Sequence, residues 1–410
     1  MASGWGAEGA EPAEPAGRTR GRQARGIRND ARILDAAIAT IVALGVDSFG
    51  LRDVAARAGL TYGALYGRYA NVAELLADLW EHRLADELAR LAEGAAASAR
   101  APEDAAALRE LLRATPERRV MIEVGIAAAR VDDLADVVPE SAARVLAAVG
   151  IGPEADPASA SGTLGRLALA IGSIAETPPD AGLGGDAGTL IGWMRAIGAP
   201  ASEAVARRAI RVPLPRFVIP DDPRREALLN GTLRVVGRSG LRGATLRRIG
   251  RASGYAHTAV YQVYGSLDAL LVDLVRAVAE DGRRADPTPG RYTRLEDGAA
   301  RVAAVCHPES RIRRRLILEF HLGAAHDPRL AELLGEADAE TYRAIADLLA
   351  PADPRARESI LLLRRANRAL QLGVAFLEET AGAIPAAGAG AFYGGLKAGA
   401  LAAAGVPEGR

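Results

Sequence analysis

Four groupings of residues in this 410-residue sequence have types that do chemistry, and three fail on spacing or context. Cys306 and His307 are chain neighbours, and adjacency is no sign of a nucleophile–base pair, which needs side chains within hydrogen-bond reach. The five histidines include no i, i+4 pair, so a helical metal site is not expected. Gly388-Ala-Gly390 does not follow a strand pattern, which removes the dinucleotide-binding reading. The fourth grouping is arginine. Arg18, Arg20, Arg22, Arg25 and Arg28 follow one another with no acid between Glu14 and Asp30. A second stretch, 227–267, holds Arg234, Arg238, Arg242, Arg247, Arg248 and Arg251 and no Asp or Glu. The chain as a whole is balanced, with 51 basic and 51 acidic residues, so these are local concentrations. Local positive charge on a neutral chain is the footprint expected for phosphate, a solvated tail being the other reading of the first stretch. No catalytic residue, metal or cofactor is expected.

Such charges need elements to present them. Ile33, Ala37 and Ile41 recur at i, i+4 and i+8, an amphipathic helix that Gly45 ends as a left-handed cap. Short helices are expected at about 51–58 and 62–68, and a longer one from Asn71, with Glu74 placed to complete a capping box. Two short helices crossing steeply need a small residue at the contact, a turn residue tolerating positive φ, and an apolar anchor. Ala55, Gly59 and Leu65 supply these at spacings of four and six.

The same frame occurs twice. A displacement of 195 positions pairs Gly45 with Gly240, Arg52 with Arg247, Gly59 with Gly254, Tyr66 with Tyr261 and Tyr69 with Tyr264, without a gap. Gly250, Gly254 and Val260 then repeat the crossing signature. Displacement by 196 aligns Arg119-Val-Met-Ile-Glu123 with Arg315-Leu-Ile-Leu-Glu319, so the unit behind each head is duplicated too. Pro213, Pro215, Pro220 and Pro223 mark the boundary. Alternation of period two is missing, so the fold class expected is all-α. The organisation expected is a disordered basic arm over 1–26, a head over 27–80, a helical regulatory domain over 81–210, and a linker over 211–222. A second head over 223–278 and a second regulatory domain over 279–410 complete it. The single cysteine, the lack of a signal-peptide pattern and the lack of an apolar run near 20 residues lead us to expect a soluble cytoplasmic protein.

The strings Arg32-Ile-Leu-Asp-Ala-Ala, Leu51-Arg-Asp-Val-Ala-Ala-Arg-Ala-Gly-Leu, Tyr66-Gly-Arg-Tyr and Glu74-Leu-Leu together resemble the head of the TetR/AcrR family of regulators. Leu246-Arg-Arg-Ile-Gly-Arg-Ala-Ser-Gly-Tyr resembles it more loosely. The resemblance covers roughly 50 residues per copy and implies a transcriptional regulator rather than an enzyme, with double-stranded operator DNA and a small-molecule effector as partners. The whole duplication resembles tandem-fused members, which implies an internal pseudo-dimer with recognition helices at 61–68 and 256–263. A further homodimer of the tandem chain is compatible with it. The resemblance places Arg52, Thr61, Tyr62, Gly63, Tyr66 and Arg68 on DNA in the first head, and Arg247, His257, Thr258, Tyr261 and Gln262 in the second. Tyr69 and Tyr264 are expected in the core. Glu123, Trp193, Glu319 and His321 are the candidates for contact with an effector, alongside Arg130 and His326. One departure stands out: the family's phosphate-contacting Lys early in the fourth helix is Val72 in one copy and Leu267 in the other. A sensor or interaction protein with degenerate heads is therefore the alternative reading.

Overall fold

Helix α1 runs from Ala16 to Leu44 and opens the computed structural model, which describes residues 16–152, 157–176, 217–219, 221–241, 243–284, 311–349 and 354–382, with four more positions between 190 and 195. Residues 16–26, expected as a disordered arm, are thus helical backbone continuous with the first head. No proline follows Pro15 until Pro102, and arginine is a good helix former, so nothing local stops the helix from extending backward. The side chains of 16–28, the glycine-rich stretches 181–188 and 386–395, Trp193 and most of the expected linker lie outside what is described.

The first half continues with α2 (Leu51–Ala58), α3 (Tyr62–Tyr66) and α4 (Val72–Leu79), which passes through a π-helical turn at Trp80–Leu84 into α5 (Ala85–Arg100). Then come α6 (Ala105–Leu111), α7 (Pro116–Ala127), α8 (Val137–Ala148) and α9 (Pro157–Ala175). Chain punctuation explains the breaks. Asp104 caps α6 through the amides of Ala106 and Ala107, and Thr115 caps α7 with Pro116 in its first turn.

The second half repeats the order: α10 (Pro223–Ser239), α11 (Leu246–Ser253), α12 (Thr258–Tyr264) and α13 (Leu267–Arg284). It ends with α14 (Arg311–Ala324), α15 (Pro328–Leu349) and α16 (Pro354–Ala381). Pro223 is the first residue of α10, and the carboxylate of Asp222 accepts from the Arg225 amide at 2.9 Å. The helix therefore begins where the proline cluster ends. Among the described residues no strand occurs, in keeping with the all-α expectation, and no helix is long and apolar enough to cross a membrane.

One apolar core runs through both halves, from Ile33 to Leu377. Its tightest crossing joins α9 to α16. A Cβ added at Gly172 would sit 1.6 Å from the Ala369 carbonyl oxygen, and one at Gly373 would sit 1.8 Å from that of Ala168. The contact is reciprocal: each helix brings an alanine and, four residues on, a glycine, so two backbones touch where side chains would hold them apart. Arg314, fully buried on α14, pairs with Glu378 of α16. Buried Arg118 on α7 pairs with Glu87 of α5 at 2.8 Å, so these two interior arginines are compensated locally.

Candidate nucleic-acid interface

In the first head α2 meets α3 across Gly59, whose φ of 64° is the left-handed conformation the turn requires. The Leu60 amide donates to the Ala55 carbonyl at 2.9 Å, closing the turn. Thr61 caps α3 by accepting from the Ala64 amide at 3.2 Å. Leu65 is fully buried and fixes α3 against the core, which leaves Thr61, Tyr62, Gly63, Ala64 and Tyr66 facing water. Tyr62 is 43% and Tyr66 55% exposed, unusual for aromatic rings, and their centroids are 5.7 Å apart. The Arg52 guanidinium lies 5.2 Å from the Tyr62 ring centre, so α2 and α3 present one surface of phenols and cation. Nothing lies within 4 Å of a Cβ at Gly63, so the helix surface there is open. Arg68, also expected on DNA, is exposed; it pairs with Asp30 of α1 and donates to the Tyr69 hydroxyl at 3.3 Å.

A tyrosine lies beneath the first head, and another lies beneath the α11–α12 pair. Tyr69 is buried, and its hydroxyl donates to Asp78 on α4. Burial first, and then Asp78, push the phenol up to about 12, so it is a neutral donor. In the second half the half-buried Tyr264 donates to Asp273 on α13 at 2.8 Å. The first helix completes both clusters with opposite polarity: Asp30 of α1 holds Arg68, whereas Arg225 of α10 holds Asp273 at 2.7 and 2.8 Å. Tyr69→Phe should lower stability in urea by about 1.5 kcal/mol, the worth of a hydrogen bond to a charged group. Tyr264→Phe should cost less, because Arg225 still holds Asp273. Equal midpoints for wild type and Tyr69→Phe would contradict this bracing.

The α11–α12 pair has the same local geometry. Gly254 has φ 77°, and the Tyr255 amide donates to the Gly250 carbonyl at 3.0 Å. A Cβ at Gly250 would come within 2.8 Å of the Tyr255 carbonyl oxygen, so the crossing demands glycine. Val260 is fully buried, while His257, Thr258, Tyr261 and Gln262 are exposed. Tyr261 is 54% exposed, matching its counterpart Tyr66. Gln262 is partly engaged: its side-chain oxygen accepts from Arg224 at 3.1 Å. Arg247, Arg248 and Arg251 of α11 are exposed, so the acid-free stretch does put its charge on the surface. Asn71 caps α4 as expected, through the Glu74 amide at 2.9 Å; the Glu74 carboxylate reaches back to the Ala70 amide rather than to Asn71.

The effector candidates divide. Glu123 and Glu319 meet at the junction of the two halves, Glu123 with His326 at 2.7 Å and Glu319 with Arg130 at 3.0 Å. His321 lies elsewhere, buried, with Asp338 at 3.8 Å. A cavity of about 680 Å³ opens beside the Glu123 and Glu319 pairs, lined also by residues 44–48 at and after the end of α1 and by Leu246 and Arg247 at the start of α11. Sequence reasoning named Arg130 and His326 but had no signal that each reaches into the opposite half.

Comparison with known proteins bears on the first head. Residues 33–79 match the family described as bacterial regulatory proteins, tetR family. A stretch of 56 residues is 48% identical to the HTH-type transcriptional regulator AqdR of Rhodococcus erythropolis, covering 14% of this chain and 27% of that protein. The chain therefore spans about a quarter of the length of the curated relative it matches. A crystal structure of a transcriptional regulator from Rhodococcus sp. Rha1 aligns with 39% of this chain and 99% of its own, at 18% identity and a TM-score of 0.30. Residues 33–79 thus form a TetR-type helix-turn-helix head.

Proposed function

We propose that the chain is a ligand-responsive transcriptional regulator, a repressor, that binds one operator through two heads on a single polypeptide. The observation that carries this reading is the recurrence, 195 positions apart, of the left-handed turn glycine and of an exposed tyrosine over a buried anchor, Tyr66 over Leu65 and Tyr261 over Val260. The first copy of that arrangement lies within the matched family segment. On this reading α3 and α12 are the recognition helices. Thr61, Tyr62, Gly63 and Tyr66 with Arg52 face one half-site; His257, Thr258, Tyr261 and Gln262 with Arg247 face the other. The two helices differ in sequence, so the operator is an imperfect palindrome, and the tandem halves act as an internal pseudo-dimer. Effector binding then releases the DNA.

A sensor with degenerate heads is the second reading. The engagement of Arg68 by Asp30 and of Gln262 by Arg224 favours it, together with Val72 and Leu267 at the phosphate-contacting position. Mobility shift on the DNA upstream of its own gene, over a salt series, separates the two. Saturable binding near 10⁻⁸ M or tighter, roughly a thousandfold or more above random duplex, is the result expected. Binding no tighter than to random duplex at every salt concentration would leave the sensor reading standing.

A further inference from the structure

We propose that Glu123, Arg130, Glu319 and His326 are positioning residues that set the placement of one head relative to the other, and that His326 makes this placement responsive to protonation. The inference rests on the two-headed reading above for its consequence on DNA, though the geometry behind it does not.

Each glutamate bonds in two directions. One oxygen of Glu123 accepts from the Val46 amide at 2.9 Å, immediately beyond the left-handed Gly45 that ends α1. One oxygen of Glu319 faces the Leu241 amide at 3.4 Å, immediately beyond Gly240, whose φ is +71° and which ends α10. The remaining oxygens cross to the opposite half: Glu123 meets the His326 Nε2, and Glu319 meets the Arg130 Nη1. Each carboxylate therefore ties the chain just beyond its own half's first helix to a basic side chain carried by the other half. Both glutamates are buried, so loss of either bond strands a polar group with little water to replace it. Packing at the two glycines is equally close. A Cβ at Gly45 would lie 3.0 Å from the His326 ring, and one at Gly240 would lie 2.8 Å from the Glu319 carboxylate.

The two latches are equivalent in position and unequal in chemistry. Arg130 is permanently charged and held additionally by Asp47 at 2.8 Å. Its counterpart His326 carries charge only when protonated. The charged groups around His326 are Glu123 on α7, Asp327 beside it in the chain, Asp47, Arg130 and Glu319 at the junction, Arg315 within 3.9 Å of Glu319, and Asp268 and Arg247 lining the cavity. Asp327 is occupied with the amides of Arg329 and Leu330, Arg130 pairs with both Asp47 and Glu319, and Arg315 is shared between Glu319 at 3.9 Å and Glu379 of α16 at 2.9 Å, with Arg311 also on Glu379. Glu123 is left with His326 as its cross-junction partner, so a proton on His326 completes the balance and tightens that latch.

The test places spin labels on Arg57→Cys and Arg251→Cys, both exposed on the heads, in a Cys306→Ser background, and measures the distance distribution by pulsed electron paramagnetic resonance without DNA. As the pH is lowered in steps from alkaline to acidic, the distribution should narrow as His326 takes up its proton. His326→Arg, which copies the Arg130 side, should be narrow at both ends, and Glu123→Gln broad at both. An unchanged distribution across pH in the wild type, with His326→Arg indistinguishable from it, overturns the proposal even if Glu123→Gln fails to fold. A wild-type chain that shows the pH response but binds no duplex would instead overturn the two-headed DNA reading and leave the latch standing.

Discussion

Gly172→Ala combined with Gly373→Ala should lower the free energy of unfolding by about 3 kcal/mol or more, at the upper end of overpacking costs. The sign is informative as well as the size. Both glycines lie inside helices, where replacement by alanine ordinarily stabilises by up to about 1 kcal/mol. Here the new methyl groups would fall 1.6 and 1.8 Å from backbone oxygens of the facing helix, and backbone cannot step aside as a side chain tip can. The α9–α16 crossing must open, and with it one of the contacts that join the two halves. Urea unfolding followed by circular dichroism reads this directly. A double variant more stable than the wild type would mean that the helices do not cross at these residues.

Tyr66→Ala and Tyr261→Ala should each weaken operator binding by roughly 10- to 100-fold, at about 1–3 kcal/mol per well-placed contact, and together by more than either alone. Both rings stand more than half exposed on their short helices, with neighbouring Leu65 and Val260 carrying the packing. Truncating them should therefore leave the urea midpoint nearly unchanged, because exposed positions contribute little to stability. Loss of binding without loss of fold is the signature expected. If neither substitution weakens binding, α3 and α12 are not the reading helices.

Much of this was legible in the sequence, because the determinants are local. Gly45, Gly59, Gly240 and Gly254 each adopt the positive φ that their position after a helix predicts. Gly250 sits where two helices must touch, and Asn71 and Thr61 cap as their side chains suggest. Tyr69 is core, as its register beneath the helix implied. What stayed hidden is long-range. Nothing in the spacing of Glu123 and His326, or of Arg130 and Glu319, signals a bond across the junction, since those pairs depend on how two halves dock. The extension of α1 back to Ala16 was missed because a run of arginines reads as solvated tail while being compatible with helix. A signal for the α9–α16 crossing did exist. Ala168-Leu-Ala-Ile-Gly172 and Ala369-Leu-Gln-Leu-Gly373 align only at a displacement of 201, so a comparison held at 195 or 196 passes over it.

That two DNA-reading heads reside in one polypeptide is tested most directly by native mass spectrometry of the operator complex, paired with hydroxyl-radical footprinting. One chain per duplex, protecting two patches about one helical turn apart, with Tyr261→Ala erasing one patch and Tyr66→Ala the other, is the predicted result. Two chains per duplex with a footprint indifferent to Tyr261→Ala would contradict it.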